Sequence, residues 1–350
     1  MAVHPDVLVV GAGVSGLTTA VRLAESGRVV QVIASEPPAA STSAVAGAVT
    51  AGPAFADPVA DAHRWDPFDA ALAWHHASLA TFADLATCPG TGVRVAHGRM
   101  VSRGDPGRSP AMRSLPDYRS CTPAEAAGFP VAFWMSLPII DMPTYLGYLR
   151  ERLSAGGGGV TIETLRGPAD AAARAPVVVN CTGTGARRFA ADPAVYPIRG
   201  QHVVLENPGL EEFLFEFGPS AASTSFIPHG SRLICGGTGD PHAWSRQPVP
   251  EQTEGILARC AAVEPRIAGA RIAAVEVGLR AGRPRMRVGE AETVGGSTMI
   301  HNYGHGSVAV SLSWGCAEAV YAIVAGRDPS QVTPAETALA TTRPAERGTR

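Results

Sequence analysis

The sequence predicts an α/β fold of two interleaved domains, one on a parallel sheet and a second, α+β, on a mixed or antiparallel sheet. Three observations lead there. The chain opens on a short apolar run, Asp6-Val-Leu-Val-Val10, that passes through Gly11-Ala-Gly-Val-Ser-Gly16 into a helix-like pattern. Comparable passages from an apolar strand into a glycine-containing turn recur at 175–183 and 298–306. Between them lie pieces that read as strands, at 200–205, 225–228 and 233–238. A chain of 350 residues, 45% hydrophobic, is long enough for two cores.

The first element is a strand because Val7 to Val10 are continuously apolar and mostly β-branched, as a fully buried parallel strand requires. Leu17, Val21, Leu23 and Ala24 follow at helical spacing, and a second apolar strand runs from Val29 to Ala34. This places G-x-G-x-x-G between strand and helix, the setting in which it binds a dinucleotide. Gly11 makes the tight turn, Gly13 admits the pyrophosphate to the backbone, and Gly16 lets helix and strand pack closely; Ala12, Val14 and Ser15 supply the amides between them. Glu36, 25 residues after Gly11, stands where a ribose-binding carboxylate is expected. With no arginine beside it in sequence, this acid favours FAD or NAD over NADP.

Further along, residues 41–49 form a loop of small side chains able to pass close to a flat ring. A helix is predicted over 67–87 from Leu72, Leu79, Phe82 and Leu85, an exposed loop over 103–118, and a helix over 143–153 followed by flexible glycines at 156–159. A helix at 250–264 and a last strand at 298–301 complete the series, and the tail beyond about 329 reads as frayed.

Composition excludes several classes. Net charge is -2 with no basic run, against nucleic-acid binding. No apolar stretch reads as a membrane span, and the first strand begins too early for a signal peptide. Six scattered cysteines without a C-x-x-C pair read as buried thiols in a reducing cytoplasm, with no metal site. All 29 basic residues are arginine, which removes Schiff-base chemistry and any flavin mechanism that relies on lysine.

The stretch from Gly278 to Cys316 is the most informative. It places Arg280 upstream of His301-Asn-Tyr-Gly-His-Gly306, a loop that leads into an apolar helix. A helix N-terminus offers backbone N–H groups and a positive dipole end to an electron-rich ligand, and arginine offers a planar fixed charge to a carboxylate. Arg283, Arg285 and Arg287 alternate as on one strand and read mainly as structural or solvent-facing, and His301 as a core histidine.

These segments resemble the FAD-dependent D-amino-acid oxidase family along nearly the whole chain. The resemblance rests on Gly11 to Gly16, Thr42-Ser-Ala-Val-Ala, Val179-Asn-Cys-Thr-Gly183, Arg199-Gly-Gln201, Cys235-Gly-Gly-Thr238, Ile256 to Cys260, Gly278-Leu-Arg280 and His301 to Gly306. It implies FAD as cofactor, held by Gly11 to Gly16, Glu36, Thr42, Ser43, Ala46, Gly47, Cys181, Thr182, Gly183 and the run His305, Gly306, Ser307, Val308, Ala309, Val310, Ser311. It further implies hydride transfer from an amine-bearing carbon to the flavin, giving an imine that hydrolyses to an oxo acid and ammonia. Dioxygen then leaves as hydrogen peroxide. The FAD domain is expected at 1–55, 138–190 and 270–330, the substrate domain at 56–137 and 191–269, with a flexible tail at 331–350.

Arg280 matches the family's carboxylate-binding arginine, but the pocket departs from the pattern. No tyrosine lies between Tyr196 and Tyr303; Ser225 occupies the place of a carboxylate-binding tyrosine, and Arg280-Ala-Gly-Arg-Pro284 replaces Arg-Pro-x-Arg-Pro. A wider pocket follows, and with it an alternative: a biosynthetic oxidase of glycine, an imino acid or a bulkier amine. A non-catalytic FAD-binding protein is the least favoured reading, because it leaves the Arg280 charge without a purpose. The composition suggests a bacterial cytoplasmic protein, and the oligomeric state stays open, a homodimer included.

Overall fold

A computed structural model of the chain describes residues 4–53, 68–104, 110–113, 115–218 and 222–328. The expected tail, part of the 103–118 loop and residues 219–221 lie outside these. Among the described residues the first sheet has six strands: β1 (Val7–Val10), β2 (Val30–Ala34), β6 (Gly159–Ile162), β7 (Val177–Asn180), β14 (Arg287–Val294) and β15 (Ser297–Tyr303). Their order is β14-β15-β7-β1-β2-β6, parallel except where β14 turns back on β15. Helices α1 (Val14–Glu25), α4 (Met142–Ala155) and α8 (Ala309–Val324) pack with it in one core cluster, and the short α5 (Pro168–Ala172) and α6 (Ala186–Phe189) place Ala171 and Phe189 in a second cluster with Leu8, Val10, Ile33, Val178 and Met299.

Among the described residues the second sheet holds nine strands: β3 (Val93–Ser102), β4 (Arg119–Ser120), β5 (Val131–Ile140), β8 (Tyr196–Glu206), β9 (Phe213–Glu216), β10 (Ala222–His229), β11 (Arg232–Thr238), β12 (Asp240–Pro241) and β13 (Ile272–Gly282). Only β3 and β9 pair in parallel, so this sheet is mixed. The β10–β11 hairpin closes on Gly230 and Ser231, and Gly230 sits at φ +62°, as a two-residue hairpin turn demands. Helices α2 (Phe68–Ala86), α3 (Pro110–Arg113) and α7 (Pro250–Val263) flank the sheet.

Two sequence expectations change here. The segment from 270 pairs along β8 as β13 and so belongs to the second sheet; the first sheet resumes only at β14. Arg283, Arg285 and Arg287 do not share a strand, because β13 ends at Gly282 and β14 begins at Arg287. Pro284 lies in the link, where a missing N–H costs no ladder bond.

Helix α8 with its leading turn, Gly306–Val324, is long and apolar enough to cross a membrane, contrary to the sequence reading, yet most of it is buried inside the protein. It packs between α1 and α2; a Cβ on Gly315 would lie 2.3 Å from the Trp74 backbone, so only glycine allows this approach. Its single carboxylate, Glu318, pairs with Arg22 of α1, both buried, and Arg22 also lies 3.5 Å from the centre of the Tyr321 ring.

On α2, His75 is fully buried, and its Nε2 meets the Thr50 carbonyl at 2.9 Å. Burial lowers its pKa to about 4. Below pH 6.5 the unfolded chain therefore binds a proton that the folded chain refuses, so stability falls as pH drops toward 4 and levels off beneath it. Between pH 6.5 and 5 the expected loss is roughly 2 kcal/mol. Denaturant unfolding of wild type and His75→Leu at the two pH values isolates it: the wild type is expected to lose about that much more stability than the variant.

Candidate active site

Strands β1, β7 and β15 all deliver their C-terminal ends to one place, with β1 at the point where the chain's crossovers change side. Open α/β sheets bind their ligands there. A cavity of about 1440 Å³ lies against these ends and extends under the second sheet. It exceeds the roughly 300–1,000 Å³ of a small-ligand pocket and so has room for a dinucleotide and a substrate together.

Every sequence-predicted cofactor residue lines this cavity except Gly16, which is buried behind it. Gly11 sits at φ +113°, with its absent Cβ 2.4 Å from the Cys181 carbonyl oxygen. The absent Cβ of Gly16 falls 1.9 Å from the Gly11 carbonyl oxygen, so both glycines are dictated by backbone packing. A Cβ on Gly13 would meet only Ser43 Oγ, at 3.1 Å, leaving its cavity side open. No side chain caps α1 within the helix; the Val14 N–H reaches across to Ser43 Oγ at 2.9 Å.

Thr42 ties the small-residue loop to β13, its Oγ1 accepting from Leu279 N–H at 3.2 Å and donating to the Leu279 carbonyl at 3.1 Å. Ala46 and Gly47 continue that wall, and the Gly47 carbonyl lies 3.2 Å from His229 Nε2. Thr182 is held by Asn180, whose Oδ1 accepts from both its N–H and its hydroxyl. The Cys181 thiol is pushed up to about 12 by burial and is inert. His301 is buried between Asn180 and Glu292, a satisfied core histidine.

At the third strand end, His305 and Gly306 turn into Ser307, Val308 and then α8, where Ala309, Val310 and Ser311 complete the wall. Ser311 Oγ donates to the Ala51 carbonyl at 2.8 Å. His305 is buried, with its pKa lowered to about 4 by desolvation, and among the described residues its Nε2 has no hydrogen-bond partner. An orphaned buried polar atom on a cavity wall calls for a ligand group opposite it. Together with the open face of Gly13, this fits a dinucleotide carrying a polar ring.

Glu36 lines the far end of the cavity, and there the structure corrects the sequence. Arg246, 210 residues away, lies 3.2 Å from its carboxylate. Its loop is fixed by buried Arg199, which donates to Ser245, Asp240, Gln252, Gln201 and Gln247 at 2.6–3.2 Å.

In the second sheet, Arg280 is half-buried, its guanidinium lying over Gly200, where a Cβ would come within 2.3 Å of it. Its Nη1 donates to the Thr238 carbonyl at 3.1 Å, and among the described residues it forms no ion pair. Burial lowers its pKa, and the nearby Asp240 carboxylate is already engaged by Arg199 and Gln252. Ser225 lies three strands over on the same face, buried, its Oγ accepting from the Glu216 N–H at 3.3 Å.

Sequence reading missed Glu216, His202 and Arg246 on the cavity wall. Glu216 is buried and paired with Arg103 at 2.9 Å. Tyr303 also lines the cavity, but its hydroxyl donates to Asp192 at 2.7 Å and accepts from Arg287 at 2.9 Å, so it does not replace the absent pocket tyrosines.

A cavity of dinucleotide size that opens beneath an arginine with no ion pair among the described residues suits a cofactor-dependent oxidoreductase. The chain belongs to the FAD dependent oxidoreductase family, whose sequence pattern matches residues 6–323, and FAD is its cofactor. It is 45% identical to a D-amino-acid oxidase of Streptomyces coelicolor over 89% of this chain and 94% of that protein. It is 40% identical to a D-amino-acid oxidase of Rubrobacter xylanophilus over 90% and 94%. Among solved structures it is similar to a glycine oxidase from Geobacillus kaustophilus, with TM-score 0.77 and 19% identity over 93% and 96% of the two chains.

Proposed function

We propose that the protein oxidises a D-amino acid or a closely related amine to the imine, which hydrolyses to an oxo acid and ammonia, with dioxygen reduced to hydrogen peroxide. The observation that carries this reading is Arg280: a permanent charge on a glycine bed, lining the cofactor cavity and making no ion pair among the described residues. A guanidinium so placed holds an α-carboxylate through two parallel hydrogen bonds and fixes the orientation of the α-carbon. FAD, when bound, supplies the two-electron acceptor.

The rest of the site positions the substrate and excludes water. Gly11 to Ser15, Thr42, Ser43, Ala46, Gly47, Cys181 to Gly183 and His305 to Ser311 would hold the cofactor; Glu36, with Arg246 beside it, would face the ribose. The unpartnered Nε2 of His305 and the α8 N-terminus would stabilise negative charge on the reduced ring. Ser225 adds one hydroxyl near the carboxylate site.

The width left by Ser225 favours a substrate larger than D-alanine, and relatedness to glycine oxidase in fold keeps a small or secondary amine as the second reading. The free cysteines support a reducing cytoplasm. Oxygen uptake with a graded series of D-amino acids separates the two: rates are expected to rise from D-alanine to bulkier side chains, and uptake with glycine or sarcosine alone would overturn the first reading.

A further inference from the structure

One row of residues crosses five strands of the second sheet in register: Glu276 on β13, His202 on β8, Gly236 on β11, Ser225 on β10 and Phe215 on β9. Alternate residues of a strand share a face, so this row lies on the same face as Arg280, which is four residues beyond Glu276. Gly200 and Gly236 place no side chain between these residues, whereas Gly278 lies against Val45 and Thr42 of the small-residue loop. The result is a trough with the Arg280 guanidinium over Gly200 and the His202 ring rising from the next position on that face, roughly 7 Å along the strand.

His202 is mostly buried and lines the cavity, whereas Glu276 stands behind it, away from the wall. Their side chains meet at 2.8 Å between Nε2 and Oε2. A carboxylate can only accept, so in the neutral ring Nε2 carries the proton and donates it in a hydrogen bond to Glu276, which leaves the Nδ1 lone pair free. Among the described residues no group is hydrogen-bonded to that nitrogen. A polar, oriented acceptor in the wall of a substrate trough contributes little to binding an apolar side chain, but it discriminates strongly for a side chain that carries a donor.

We propose that His202, held by Glu276, determines specificity: its Nδ1 accepts a hydrogen bond from an amide, hydroxyl or ammonium group on the side chain of an amino acid whose carboxylate sits on Arg280. This rests on the function proposed above and names the substrate class within it. His202 touches the substrate, and Glu276 is a positioning residue that sets which ring nitrogen carries the proton.

The test uses three side chains of nearly equal shape at pH 8.5: D-asparagine, which donates; D-aspartate, which only accepts; and D-leucine, which does neither. In the flavin-loaded wild type, kcat/KM is expected to rank D-asparagine above both others. His202→Leu is expected to lower the asparagine-to-leucine ratio by about tenfold or more, the worth of one buried hydrogen bond. Glu276→Gln can donate to Nε2 and so move the ring proton to Nδ1; it is expected to shift the asparagine-to-aspartate ratio toward aspartate. Variants are compared at equal flavin content and matched melting temperature. A ratio unchanged by His202→Leu, or a wild-type preference for D-aspartate, overturns the assignment. If no D-amino acid is turned over by the wild type, it is the proposed function that fails.

Discussion

Arg280→Met is expected to lower kcat/KM for a D-amino acid by about 10²- to 10⁴-fold while leaving flavin content unchanged. The size follows from two charge-assisted hydrogen bonds at roughly 1.5–3 kcal/mol each, with about 1.4 kcal/mol per tenfold. The guanidinium donates only to the Thr238 carbonyl and makes no ion pair among the described residues, so its removal leaves no buried charge stranded. Melting temperature should therefore stay level or rise. A structural arginine would show the reverse pattern, with stability and flavin lost along with activity. Stopped-flow reduction of the flavin, set beside a thermal melt, distinguishes the two.

The second large effect lies at the other end of the cavity. Gly11→Ala forces a side chain into a left-handed backbone and sets its Cβ 2.4 Å from the carbonyl oxygen of Cys181, which follows β7 and is held to Val10 by its own N–H. A cost of about 3 kcal/mol or more is expected, with loss of FAD. Gly13→Ala meets only the Ser43 hydroxyl and costs α1 at most about 1 kcal/mol as a cap. It should fold yet hold FAD weakly, because its methyl stands where the pyrophosphate must approach. Melting curves of both apoproteins, followed by titration with FAD, test the pair; equal behaviour would show that the two glycines do the same job.

What the sequence reveals of this fold is what is local. The turn from Val10 to Gly16, the helix at 250–263 and the loop from His305 into α8 are each written in adjacent residues, through turn chemistry or helical period. The strands at 93–102 and 131–140 were not legible, because Val93 to Ser102 mixes charged and apolar residues and both strands draw their stability from partners far along the chain. The same holds for the boundary at 270: β13 carries Arg280, so it reads as part of the cofactor segment, but its backbone bonds go to β8.

The site divides in the same way. Arg280 and Ser225 were found because each stands in a recognisable string, whereas Arg246 beside Glu36 and His202 between Glu276 and Gly236 depend on loop packing and strand register. A one-residue change of register would turn His202 away from the cavity altogether. No local pattern encodes that choice.

The central claim is that Arg280 and the cofactor cavity together orient the α-carbon of a D-amino acid for oxidation. Anaerobic mixing of the flavin-loaded protein with matched D- and L-enantiomers tests it most directly. Rapid bleaching of the oxidised flavin band by a D-amino acid is expected, with slow or no bleaching by its L-enantiomer and loss of the difference in Arg280→Met. Equal bleaching by both enantiomers, or none by any amino acid from a fully flavin-loaded sample, would contradict it.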